Sequence, residues 1–241
     1  MSHRREQKEA LRRERERREA EARAAQQRKR LVGIVGAALI AVAAIAILVV
    51  VATGSGGDDE GGGVKGSGDN FPSGGSIPEQ KVFDLARVAD AAGCELKSNR
   101  AASRDHIQDP DQKLKYPQDP PASGKHYAVP AEDGLYNGAP PNDTALVHAL
   151  EHGRVIVWAK PSLPREARQQ LRALFDEDSY QLVVVRRANM SYDVAATAWS
   201  ADPTPLGTGR TLGCPTWSED AIDALRAFRD EHRSNGPEPV P

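Results

Sequence analysis

The stretch LVHALEHGRVIVWAK, Leu146 to Lys160, decides how this chain is read. Two histidines stand four apart with a glutamate between them, and a glycine and an apolar run follow. Asn142, Asp143 or Thr144 can cap a short helix here, and Gly153 can end it. RVIVWAK then reads as a strand too apolar to be exposed on both faces. The stretch therefore predicts a helix, a glycine stop and a buried strand. It also puts His148 and His152 one helical turn apart on a shared face.

Downstream the pattern stays regular. PREARQQLRALFDED opens with a proline that suits a first helical turn, and Ala167, Leu171, Leu174 and Phe175 share one face. QLVVVRR predicts a second strand. DVAATAWS predicts a third, weaker one, because alanine is a poor strand former. SEDAIDALRAFRDEH has a Ser218 cap and places Ile222, Leu225 and Phe228 at helical spacing. Upstream, from about residue 77 to 142, Pro, Asp and Gly dominate and periodicity is lost. An irregular stretch of that length in a compact domain is usually functional or disordered. Strand–helix–strand–strand–helix behind this loop-rich front predicts a small α+β domain over residues 76–235, with 236–241 as a loose tail.

The N-terminal part has another character. Residues 1–30 hold 12 Lys/Arg against 6 Asp/Glu, and the remainder holds 20 against 28. Pairs such as Glu9–Arg13 and Glu14–Arg18 predict a charged, solvated helix over 1–30. Leu31 to Thr53 carries no charge and no proline. As a helix it would span roughly 34 Å, enough for a ~30 Å hydrocarbon core. A single-pass transmembrane helix is therefore expected over 31–53, followed by a flexible Gly/Ser tether over 54–75. Arg28, Lys29 and Arg30 beside the apolar run would hold the N-terminus in the cytoplasm and place the α+β domain outside it. The location expected is the cell membrane, and the membrane is the one partner expected. Nucleic acid is not expected, because the acidic body repels phosphates. No protein partner is identified.

Two cysteines occur, Cys94 and Cys214, and both fall in the part expected to be exported. An even count there suggests one disulfide; thiolate metal ligands and two free thiols are the alternatives. Four of the six histidines, His106, His126, His148 and His152, lie within residues 106–152. His148 and His152 can reach one ion, and His126 in PPASGKHY can add a third nitrogen. His106 in RDHIQ and Met190, a soft thioether, are further candidate ligands. Glu151 can orient a histidine without touching the ion. Histidines near a helix end can instead do no more than satisfy free carbonyls. The order His148-Ala-Leu-Glu151-His152 also matches the inverted zinc-protease motif, in which the glutamate activates water.

Several motifs in order resemble a bacterial family known as domain of unknown function 3105. They are Gly93-Cys94, His106-Ile107, Pro120 to Tyr127, Gly134-Leu135-Tyr136, His148 to Gly153, and Thr197-Ala198-Trp199. Ala122 stands where the family pattern has Thr, and Ser200 where it has Gly. The resemblance covers roughly residues 80–235. It implies a membrane-anchored or secreted domain and supplies no activity. The reading that results is a histidine-based copper- or zinc-binding module without catalytic residues. A non-catalytic envelope module that binds a ligand or protein through other surfaces is the alternative, and a zinc hydrolase is a third.

Overall fold

The computed structural model describes residues 62–238. Its centre is a seven-stranded mixed sheet of order β1-β5-β7-β6-β8-β9-β2. The strands are β1 (Val64–Lys65), β2 (Glu95–Arg100), β5 (Gly134–Tyr136), β6 (Val155–Ala159), β7 (Leu182–Arg186), β8 (Val194–Ser200) and β9 (Thr208–Cys214). β1, β5, β7 and β6 run parallel to one another; β8 turns antiparallel to β6, and β9 and β2 continue antiparallel. A separate parallel pair joins β3 (His106–Ile107) and β4 (His126–Tyr127).

Four helices accompany the strands: α1 (Leu85–Ala91), α2 (Asp143–Glu151), α3 (Arg165–Glu177) and α4 (Ala221–His232). β6–α3–β7 is a parallel crossover, which needs an intervening helix of this kind. All five residues of β6 are buried because the sheet is covered on both faces. Alternation sorts them. Val155, Val157 and Ala159 join Leu171, Leu174, Phe175, Leu225 and Phe228 in one core, under α1, α3 and α4. Ile156 and Trp158 join Leu146, Val147, Leu150 and Trp199 in a second core, under α2. The Trp158 indole N–H is satisfied by the Thr197 hydroxyl at 2.8 Å. Gly153, at φ +86°, ends the turn after α2 and leads the chain into β6.

The expected fold class, α+β behind a single-pass transmembrane helix, is corrected on two counts. The sheet has seven strands, four of them parallel and threaded by helices, so the architecture is mixed α/β. β2 shows no buried side chain and β9 reads TGRTLGC, so neither carries the apolar alternation that marks a strand in sequence. Second, no helix among the described residues is long and apolar enough to cross a membrane. The longest, α3, has 13 residues; it would reach only about 20 Å against a ~30 Å core. Residues 31–53 lie outside the described residues, as does the charged stretch 1–30. The cell-membrane location, with its cytoplasmic N-terminus and exported domain, rested on that helix and is corrected with it. The fold also draws in part of the Gly/Ser-rich stretch: β1 pairs with β5, and Phe71 is fully buried. Cys94 and Cys214 are bonded to each other, joining the start of β2 to the end of β9.

Helix α4 makes one acid-sensitive contribution. His232 packs on Phe228, ring centroids 4.5 Å apart, and burial, helped by Arg210, pushes its imidazole down to about 4. A group with a depressed folded value binds its proton more readily when unfolded. Its contribution is therefore complete above the unfolded value near 6.5 and is lost as pH falls towards 4. Between pH 7 and pH 5 this histidine should cost about 2 kcal/mol of stability. Urea unfolding at the two pH values should show that drop, and His232→Asn should remove most of it.

Candidate metal centre

The parallel register of β3 and β4 sets His106 directly opposite His126. Opposed residues in a strand pair project to the same side, so the two imidazoles meet. Their Nε2 atoms are 3.2 Å apart. Helix α2 approaches from that side and presents His148 and Glu151, three residues apart on one face. The His148 ring lies 4.7 Å from that of His126 and 4.9 Å from that of His106, centroid to centroid. Glu151 Oε2 lies 3.0 Å from His126 Nε2 and 4.0 Å from His106 Nε2. One ligand atom from each of these four residues falls within 4.8 Å of the other three. His126 and Glu151 are fully buried and His148 nearly so, while His106 is exposed and leaves the group reachable from solvent.

Backbone carbonyls fix two of the ring tautomers. His126 Nδ1–H donates to the Gly124 carbonyl at 2.8 Å, and His148 Nδ1–H donates to the Tyr127 carbonyl at 2.6 Å. A carbonyl only accepts, so each proton sits on Nδ1 and each neutral ring keeps a lone pair on Nε2. Glu151 Oε2 is buried without a hydrogen-bond partner, even though His126 Nε2 is only 3.0 Å away. Arg104 already balances the Glu151 charge through Oε1, while Oε2 faces the histidines, where a further proton on His126 or a metal cation would engage it. Burial works to raise the Glu151 carboxyl, but His126 and Arg104 outweigh it and hold the group at about 2. Burial, opposed by the Tyr127 carbonyl and helped by His126, His152 and His106, pushes His148 down to about 4. At neutral pH both groups are therefore in the form that binds cations.

Arg104 fastens the acidic side, its Nε donating to Glu151 Oε1 at 2.5 Å. Nothing in its spacing announces this, since the two residues are distant in sequence. His152 is placed differently from His148. Its Nδ1–H donates to the Glu238 carbonyl at 2.8 Å, and it lies outside the group of four, although its ring is 4.6 Å from that of His148. Met190 also lies outside the group, buried in the second core. Glu151, read in sequence as an orienting residue, is itself one of the four. The inverted zinc-protease motif has both its histidines on the ion and the glutamate off it, whereas here His148 and Glu151 lie in the group of four and His152 outside it.

Residues 234–238 close over the end of α2. Ser234 N–H donates to Gly153 O at 2.9 Å, Glu238 N–H donates to Glu151 O at 3.1 Å, and Arg104 Nη2 donates to the Glu238 carboxylate at 3.1 Å. Gly236 permits the approach, because a Cβ there would stand 2.2 Å from Glu151 O and 2.3 Å from Gly153 N. Both obstacles are backbone, so Gly236→Ala must push the segment off Glu151. The variant should lose about 1–3 kcal/mol, the usual range for overpacking, and thermal unfolding should show it.

The model of a family described as protein of unknown function, DUF3105, matches residues 106–240. No curated protein and no solved structure matches the chain. The matched segment begins at His106 and takes in all four clustered residues. Because it spans more than half of the 241 residues, the chain belongs to the DUF3105 family of proteins of unknown function.

Proposed function

We propose that the protein is a metal-binding module that holds one divalent transition-metal ion through His106, His126, His148 and Glu151. One observation carries the reading. Three imidazoles and a carboxylate from three separate elements converge, and the carboxylate oxygen that faces His126 is buried with no hydrogen-bond partner. The donor set favours zinc(II) or copper(II), which imidazole and carboxylate suit. Copper(I) fits less well: both cysteines are consumed in the disulfide and Met190 lies outside the group. Zinc–nitrogen and zinc–oxygen bonds of about 2.0–2.2 Å put tetrahedral ligands about 3.4 Å apart. The 3.0 and 3.2 Å separations are close to that value, and the widest, 4.8 Å, would have to contract. The carbonyl bonds on His126 and His148 aim Nε2 inward, the orienting role such bonds have around bound metals. Exposed His106 gives the ion an entry path from solvent.

The alternative is a binding module whose histidines are structural, with a proton on His126 engaging Glu151 Oε2. Calorimetric titration of the chelator-treated full chain with zinc and copper(II) separates the two. One equivalent bound, with a rise in Tm, supports the site. If neither ion binds stoichiometrically and neither raises Tm, the proton alone occupies the centre and the proposal is wrong.

A further inference from the structure

A second constellation lies at the other end of α2. A cavity of about 370 Å³ opens where the carboxyl ends of β6 and β7 meet the first turn of α2. In sheets with parallel strands this is the edge where ligands commonly bind. Its size suits a small molecule, since such pockets run from about 300 to 1,000 Å³. Two adjacent arginines line it and behave differently. Arg187 is engaged: its Nε meets Asp119 at 2.8 Å, its Nη1 meets Asp143 at 2.6 Å, and its guanidinium lies 5.3 Å from the Trp158 ring centroid. Both carboxylates lining the cavity are therefore occupied by Arg187. Arg186 lines the same cavity, and among the described residues its guanidinium makes no ion pair or side-chain hydrogen bond; its Nε is sealed away, so only the outer nitrogens are open to a ligand. A guanidinium lining a cavity with its two outer nitrogens unengaged is suited to a planar oxyanion, which these grip with parallel N–H groups. Leu146, Trp158 and Pro141 supply an apolar wall beside it.

We infer that this cavity is a binding site for a small organic oxyanion, a carboxylate or phosphate with a short apolar body, held by Arg186. The inference is independent of the metal centre. It is tested on the chelator-treated full chain, so that neither probe can bind through a metal. Inorganic phosphate and butyrate are titrated separately, with binding followed by calorimetry and Tm. Saturable binding of at least one probe is expected, weakened at least about 10-fold in Arg186→Gln, as loss of a charged hydrogen bond would do. Arg210→Gln serves as the control. Its Nη1 already donates to the Ser98 hydroxyl at 2.9 Å, and it lines a different cavity, beside His232 and Asn235. That variant should bind the probe as the parent does. Absence of saturation for both probes overturns the proposal, as does equal binding by Arg186→Gln. A third result, in which Arg186→Gln lowers Tm while neither probe acts on the parent chain, also overturns it, leaving Arg186 a structural role alone.

Discussion

His126→Ala is expected to lower affinity for zinc or copper(II) at least about 100-fold, beyond the 10–100-fold typical of losing an orienting partner. The reason is positional. His126 Nε2 is the atom nearest both His106 Nε2, at 3.2 Å, and Glu151 Oε2, at 3.0 Å, so its removal empties the middle of the group. Circular dichroism should show the chain still folded, because Arg104 continues to pair with Glu151. His106→Ala should cost less than His126→Ala, since His106 is exposed and water can take its coordination position. His152→Ala and Met190→Leu should leave the stoichiometry unchanged, because neither residue is in the group of four. Loss of binding in His152→Ala with retention in His106→Ala would show that the ligand set has been misassigned.

The second large effect concerns the disulfide. Cys94 and Cys214 are 120 residues apart in sequence. In the chain-entropy account, opening a loop of that size costs about 5 kcal/mol. For a domain of this size such a loss lowers Tm by roughly 10–20 °C. The fold gives the bond particular weight. β2 is an edge strand whose six side chains are all exposed, so apart from its pairing with β9 nothing buries it in the sheet. Cys94 also links that strand to α1, which packs in the first core. Urea unfolding of Cys94→Ala/Cys214→Ala, compared with the parent chain before and after reduction, measures the effect. A loss below about 1 kcal/mol in both would show that the crosslink constrains little in the unfolded ensemble.

The middle and end of the chain were legible in sequence because burial there follows a period. Ala167, Leu171, Leu174 and Phe175 repeat at helical spacing, and all four are buried in α3. Ile222, Leu225 and Phe228 do the same in α4. β6 is apolar throughout, and β7 up to Arg186, because two cores press on them. Edge strand β2 and its neighbour β9 were not legible. β2 and β9 are joined by main-chain bonds across a separation that no local pattern encodes. The site divides in the same way. Helical spacing puts His148, Glu151 and His152 on neighbouring positions of α2, but it cannot say that His152 turns to the Glu238 carbonyl. The meeting of His106 and His126 depends on pairing between two strands of two residues each. That is too short to leave an alternation. Arg104 reaches Glu151 only through the fold.

The two faces of the sheet are unequally covered. Three helices and the disulfide guard one, whereas the other has only α2 and the irregular chain around β3 and β4. Proteins open in cooperative sub-units whose free energies follow local packing. The thinly covered face should therefore detach by sub-global opening while the central strands stay closed. Amide hydrogen exchange would then sort residues 101–152 into a faster class than β6, β7 and β8, and an ion that ties β3, β4 and α2 together would slow that class selectively.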